Sequence, residues 1–141
     1  MDMNDIKPVA QFKGRSVLIV EDEKTTCKIL ELVLTKLGFD TVKITSDGSE
    51  ALKCLDAARF DVILCDIQMK PMNGIEFLQT LRSSSSLRFD AAKSATPVIL
   101  LTASTDMDHV RAAKGSGVQG YLLKPVNAEA IRDRLMATIH D

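Results

Sequence analysis

The chain has 141 residues, 45% of them apolar and 26% charged, with a formal net charge of -1. That length holds one domain with one sizeable core, and the near-neutral balance gives no basic excess for a nucleic-acid backbone or an anionic membrane. No apolar run approaches the ~20 residues needed to span a bilayer, and the acidic start Met1-Asp2-Met3-Asn4-Asp5 is unlike a secretory signal, so no membrane insertion and a cytoplasmic location are expected.

Residues 1–14 contain Pro8 and Gly14 and show no sustained periodicity. They read as a flexible or loosely docked extension, with Val9 and Phe12 able to pack on a domain spanning 15–141. Ser16-Val17-Leu18-Ile19-Val20 is a strand buried on both faces that runs into Glu21, Asp22 and Glu23. From Lys24 to Leu37, Cys27, Leu30, Leu34 and Leu37 recur at helical spacing, with Thr25 or Thr26 near the start and Gly38 as a stop. A short strand is expected over 39–45, and Asp47-Gly48 turns into a helix over 49–58.

Val62-Ile63-Leu64-Cys65-Asp66 is a second doubly buried strand, and it delivers one carboxylate into a loop containing Pro71 and Gly74. A buried strand ending in a charge is a local contradiction of the kind expected at functional sites. A helix over 74–82 follows, broken by Ser83-Ser84-Ser85-Ser86, which opens a polar connection to Thr96. Pro97 to Leu101 is a third buried strand ending at Thr102, and a weakly apolar helix over 106–114 closes on Gly115 and Gly117. The last strand, 120–123, leads into Lys124-Pro125, and a helix capped by Asn127 carries the stripe Ala128, Ile131, Leu135 and Ile139.

Five strands alternating with five helices form an α/β fold, a parallel sheet covered on both faces by right-handed crossovers. In such sheets ligands sit beyond the carboxyl ends of the strands, where Glu21, Asp22, Asp66, Thr102 and Lys124 all fall. Cys27, Cys54 and Cys65 lack metal or disulfide spacing and read as small buried hydrophobes. His109 and His140 read as surface residues. Acids gathered on one rim repel each other unless a cation is bound, and Mg²⁺ suits a site with one or two carboxylates and a phosphate. Asp22 and Asp66 would ligate it directly, and the main-chain carbonyl of Gln68 adds a third protein oxygen. With Lys124 as cation and Thr102 as hydroxyl donor, the set suits phosphoryl transfer with Asp66 as nucleophile.

With these residues in view, the chain from about Gly14 to His140 resembles the receiver domains of two-component response regulators. The motifs that carry the resemblance are Glu21-Asp22, Asp66 followed by Met69, Met72-Asn73-Gly74, Leu101-Thr102-Ala103 and Gly120-Tyr121-Leu122-Leu123-Lys124-Pro125. The resemblance implies a flavodoxin-like doubly wound (βα)5 fold with strand order 2-1-3-4-5. It implies that Asp66 is the phosphoacceptor, Asp22 a metal ligand, Glu21 an acid acting through metal-bound water, Lys124 the phosphoryl-contacting lysine and Thr102 with Tyr121 a switch pair, with Lys124-Pro125 cis. The implied partners are a histidine kinase or histidine phosphotransfer protein and a downstream target bound by the fourth predicted helix, last strand and last helix. The implied state is a monomer or a phosphorylation-dependent dimer, and the protein is a phosphoacceptor, not an enzyme acting on a separate substrate.

Three features depart from the pattern: Glu21 where aspartate is common, Lys70-Pro71 in place of a proline one residue earlier, and a long connection over 83–96, expected to be a solvated insertion. The chain stops at Asp141, so output by protein–protein binding is expected; a receiver cut from a larger hybrid kinase is the alternative. A haloacid dehalogenase-type phosphohydrolase would need a second acid where Gln68 stands. A scaffold independent of phosphorylation has no use for the intact acid, threonine and lysine set.

Overall fold

Alternate residues of each core strand point to opposite faces, and here both faces carry aliphatic side chains, so each strand must be sandwiched between helices. The structure, a computed structural model, describes residues 1–83 and 87–140, and excludes the side chains of Ser104 and Ser116. The strands are β1 (Ser16–Val20), β2 (Thr41–Thr45), β3 (Val62–Asp66), β4 (Val98–Thr102) and β5 (Gly120–Leu123), all parallel, in the order β2-β1-β3-β4-β5. The helices are α1 (Lys24–Leu37), α2 (Gly48–Ala57), α3 (Gly74–Ser83), α4 (Ala91–Ser94), α5 (Met107–Ala113) and α6 (Ala128–Thr138). This is the flavodoxin-like order expected above.

Val17, Ile19, Val62, Leu64, Ile99, Leu101 and Leu122 face one layer, formed with Leu30, Val33, Leu34 and Leu37 of α1 and Ile131 and Leu135 of α6. Leu18, Val20, Ile63, Cys65, Val98 and Leu100 face the other, with Leu52 and Leu55 of α2, Phe77, Leu78 and Leu81 of α3 and Val110 of α5. The stripe predicted for the last helix is buried as expected. Cys65 is buried, Cys27 and Cys54 are half-buried, and all three are free thiols.

Two boundaries differ from expectation for local reasons. Gly38 takes a left-handed conformation at the end of α1, and the N–H groups of Gly38 and Phe39 return to the carbonyls of Thr35 and Leu34. Phe39 therefore belongs to the helix end, and β2 begins only at Thr41. α1 starts after Glu23 as N-cap residue instead of Thr25 or Thr26, and Thr26 donates its hydroxyl to the Glu23 carboxylate.

Residues 1–14 pack on the α1–α6 layer. Two 3₁₀ turns, Met3–Asp5 and Ala10–Phe12, bury Ile6 and Phe12. Phe12 stacks on Phe39 with ring centroids 4.7 Å apart, the Val9 N–H donates to the Leu37 carbonyl, and the Gln11 amide donates to the Ile139 carbonyl. Phe12→Ala is therefore expected to lower the unfolding free energy by about 3–5 kcal/mol in urea melts; a loss under 1 kcal/mol would mean that the segment adds nothing to the core.

Residues 87–96 of the connection after α3 are more structured than a solvated insertion. The break at Ser84-Ser85-Ser86 lies outside the described residues, as does Asp141. Phe89 is buried in the second layer, Asp90 caps α4, and Arg88 forms two hydrogen bonds to Asp56 at 2.8 and 2.7 Å. Arg82 gathers the carbonyls of Ser94, Thr96 and Gly117, tying the end of α3 to the turn before β5.

Candidate functional site

The site lies at the carboxyl ends of β1, β3, β4 and β5. Parallel register fixes the geometry: Val20 pairs with Cys65, Asp66 with Leu101 and Thr102 with Leu123. The residues that end these strands are thus delivered to one rim. Glu21, Asp22 and Asp66 bring carboxylate oxygens within 4.8 Å of one another. Glu21 is 1% exposed and Asp66 4%, while Asp22 faces solvent.

Lys124 reaches in from the loop after β5, where its N–H donates to the Thr102 carbonyl at 2.8 Å. Its Nζ lies 2.8 Å from Glu21 Oε1 and 3.3 Å from Asp66 Oδ1. The longer Glu21 side chain is thus the nearer partner of the lysine. Oε2 of Glu21 accepts from the Glu23 N–H at 3.1 Å, but Oε1 receives no well-aligned hydrogen bond despite its closeness to Nζ. Three carboxylates converging on one rim, one of them open to solvent, are a donor set suited to a hard divalent cation.

Burial pushes the Glu21 carboxyl up to about 7 against the pull of the Lys124 ammonium; the Asp66 charge adds to the rise and the Glu23 N–H opposes it. For Lys124, burial works to lower its value, but contact with Glu21 and Asp66 outweighs it and holds the ammonium above its ordinary range. Burial raises the Cys65 thiol well above its ordinary value and raises Cys27 with help from Glu21 and Asp22. Both thiols stay protonated at neutral pH and are not cation ligands.

The Glu21 shift has a consequence for stability. The folded, cation-free chain binds more protons than the unfolded chain between pH 4.5 and about 7. Stability therefore falls as pH rises through that window, by on the order of 2–3 kcal/mol from this group. Urea midpoints at pH 5 and 8 in chelator are expected to show that fall, and Glu21→Gln is expected to flatten it. An equally steep fall in Glu21→Gln would assign the effect elsewhere.

Thr102 is fully buried and donates its hydroxyl to the Ala103 carbonyl at 2.8 Å, so it is occupied by its own main chain. Tyr121 is half-buried on β5, an edge strand, and packs on the second layer. Gln68 is exposed, and its amide donates to Asp106 Oδ1. Lys70 is exposed, and the peptide bonds before Pro71 and Pro125 are both cis.

Sequence reasoning missed the support around Asp66. Asn73 and Glu76 form a reciprocal capping box at the start of α3, with bonds of 2.9 and 3.1 Å. The Asn-x-x-Glu spacing was the available signal. Gly74 follows because a Cβ there would meet the Asp66 carbonyl oxygen at 2.1 Å. Asp106, buried at the start of α5, was also missed and carries no local pattern that marks it.

A family model described as the response regulator receiver domain matches residues 17–136. The chain belongs to the response regulator receiver family. The receiver is 32% identical over 123 residues to chemotaxis protein CheY-3 of Vibrio cholerae, spanning 87% of this chain and 90% of that protein. It is also 32% identical over 119 residues to chemotaxis protein CheY of Pseudomonas aeruginosa, spanning 84% and 91%. Among solved structures, chemotaxis response regulator CheY4 of Vibrio cholerae aligns with TM-score 0.75 at 33% identity, covering 89% of the receiver and 98% of that chain. The receiver domain of sensor histidine kinase PA1611 from Pseudomonas aeruginosa, which holds a magnesium ion in its active-site cleft, aligns with TM-score 0.76 at 25% identity, covering 89% and 97%. The receiver is thus a CheY-like module of two-component signalling. Among its described residues, no helix is long and apolar enough to cross a membrane.

Proposed function

We propose that this receiver accepts a phosphoryl group on Asp66 in a Mg²⁺-dependent reaction and uses it to switch a protein-binding face. One observation carries the reading: Glu21, Asp22 and Asp66 converge within 4.8 Å, with the Lys124 ammonium against two of them. Asp22, Asp66 and the Gln68 carbonyl would hold the cation, with Glu21 acting through its water shell. When bound, the cation supplies charge neutralisation for the transferring phosphoryl oxygens.

Every other part is played by the chain. Asp66 attacks phosphorus, its carboxylate oxygen forms the new P–O bond, and the P–N bond to the donor histidine breaks. The imidazole keeps the electron pair and takes a proton from solvent. Lys124 neutralises a phosphoryl oxygen, and Thr102 exchanges the Ala103 carbonyl for another. Attack of water on phosphorus returns Asp66 to its carboxylate and releases phosphate. Movement of Thr102 frees space for Tyr121 to turn inward and shifts the face formed by α5, β5 and α6. The donor is a histidine kinase or histidine phosphotransfer protein, the reader is a downstream target protein, and the compartment is the cytoplasm. The chain acts as a phosphoacceptor, with no separate substrate to turn over.

Intact-mass analysis with a small phosphodonor tests this. One phosphoryl adduct is expected in Mg²⁺ and none in chelator. An equal adduct in both would remove the cation from the account.

A further inference from the structure

Asp106 stands at the N-cap position of α5 yet makes no side-chain cap to its own helix. It is buried, at 8% exposure, and its Oδ1 accepts instead from the Gln68 side chain at 3.0 Å, across the rim from the loop that follows Asp66. His109 Nδ1 lies 3.9 Å from the same oxygen. Aspartate at this position ordinarily accepts from the second or third helical N–H, here Asp108 or His109. The carboxylate thus has two alternative sets of donors: Gln68 across the rim, or the first turn of α5.

We propose that the Gln68–Asp106 hydrogen bond is a latch between the phosphoacceptor loop and α5, opened when Asp66 is modified and then replaced by capping of α5 by Asp106. The proposal rests on the reading of Asp66 as phosphoacceptor. Gln68 is two residues from Asp66, and the 3₁₀ turn Ser104–Asp106 joins Thr102 to α5, so the latch bridges the two segments on which phosphorylation acts. Asp106 is a positioning residue, since its carboxylate faces Gln68 and His109 and acts on the site through Gln68. Moving one acceptor between two donors couples a displacement at the site to the order of the first turn of α5.

Amide hydrogen exchange at Asp108 and His109, with and without Mg²⁺ and beryllium fluoride, tests the latch on the whole chain, with fluorine NMR reporting the bound mimic. In the unchanged protein the mimic is expected to slow both amides about fivefold, the effect of a cap of ordinary strength. Gln68→Ala keeps its main-chain carbonyl and is expected to show the slower exchange before any addition. Asp106→Ala is expected to show fast exchange in both states, and Asp106→Asn, whose amide oxygen accepts either bond, restores the response. Opposite behaviour of the two alanine variants is what a purely structural hydrogen bond would not produce. If Asp106→Ala does not fold, Gln68→Ala decides alone. A bound fluorine signal with unchanged amides, or Gln68→Ala matching the unchanged protein, overturns the latch and leaves the phosphoacceptor reading standing. Absence of any bound fluorine signal overturns both.

Discussion

Asp66→Asn is expected to abolish phosphoryl uptake from a small donor, with a fall of more than about a thousandfold in rate. The amide is nearly isosteric, so the side chain keeps its place at the end of β3. What is lost is the anionic oxygen that attacks phosphorus and one of the three acids that converge on the rim. Removing a charge from a position 4% exposed also relieves repulsion of Glu21, so the fold is expected to be retained. Stopped-time intact-mass measurements on both proteins, with circular dichroism as the check on folding, decide the matter. An adduct forming on Asp66→Asn at a comparable rate would move the nucleophile elsewhere.

Gly74→Ala is expected to cost both stability and phosphoryl uptake, because its added methyl group meets main chain. A Cβ at this position would stand 2.1 Å from the Asp66 carbonyl oxygen, 2.9 Å from its carbon and 3.1 Å from Ile67 Cα. All three are main-chain atoms of the strand end, and none can rotate away. The start of α3 would have to move off the sheet, stretching the 3.0 Å hydrogen bond from the Gly74 N–H to the Ile67 carbonyl. A cost on the order of 3 kcal/mol or more follows, together with slower phosphoryl uptake because the displaced carbonyl belongs to the phosphoacceptor. Gly48→Ala is the contrast: its Cβ would meet Met72 Cγ at 2.7 Å and Sδ at 2.8 Å. Those two atoms belong to a flexible side chain, and the Phe77 Cβ at 3.0 Å needs to give by only a few tenths of an ångström, so a smaller cost is expected. Urea unfolding of the two variants measures the difference, and equal costs would contradict the argument from main-chain rigidity.

The sheet was legible because its signal is local. Runs such as Val17-Leu18-Ile19-Val20 and Val98-Ile99-Leu100-Leu101 leave little choice but strands covered on both sides. Strand ends are then rim positions, so the pattern alone groups Glu21, Asp22, Asp66, Thr102 and Lys124 on one rim. Pairings that depend on side-chain reach were not legible. Nothing in the spacing says that Lys124 sits nearer Glu21 than Asp66, or that the Thr102 hydroxyl is occupied by the Ala103 carbonyl. Partners far apart in sequence were hidden for the same reason. Phe12 with Phe39, Gln68 with Asp106 and Arg88 with Asp56 are long-range contacts, and in each pair at least one partner lies in a connecting segment without a periodic pattern. The 87–96 stretch looked solvated because its one buried aromatic, Phe89, is surrounded in sequence by polar residues. Similarity to known receivers supplies the family, while the Glu21–Lys124 pairing is a property of this chain's own geometry.

The most direct test of the central claim is to locate the bound phosphoryl group. The phosphorylated chain is reduced with borohydride, which converts an aspartyl phosphate to homoserine, then digested and sequenced by mass spectrometry. The account predicts homoserine at position 66 and at no other aspartate. Reduction at another acid, or a phosphoryl group found on a serine, threonine or histidine with Asp66 unchanged, would contradict it.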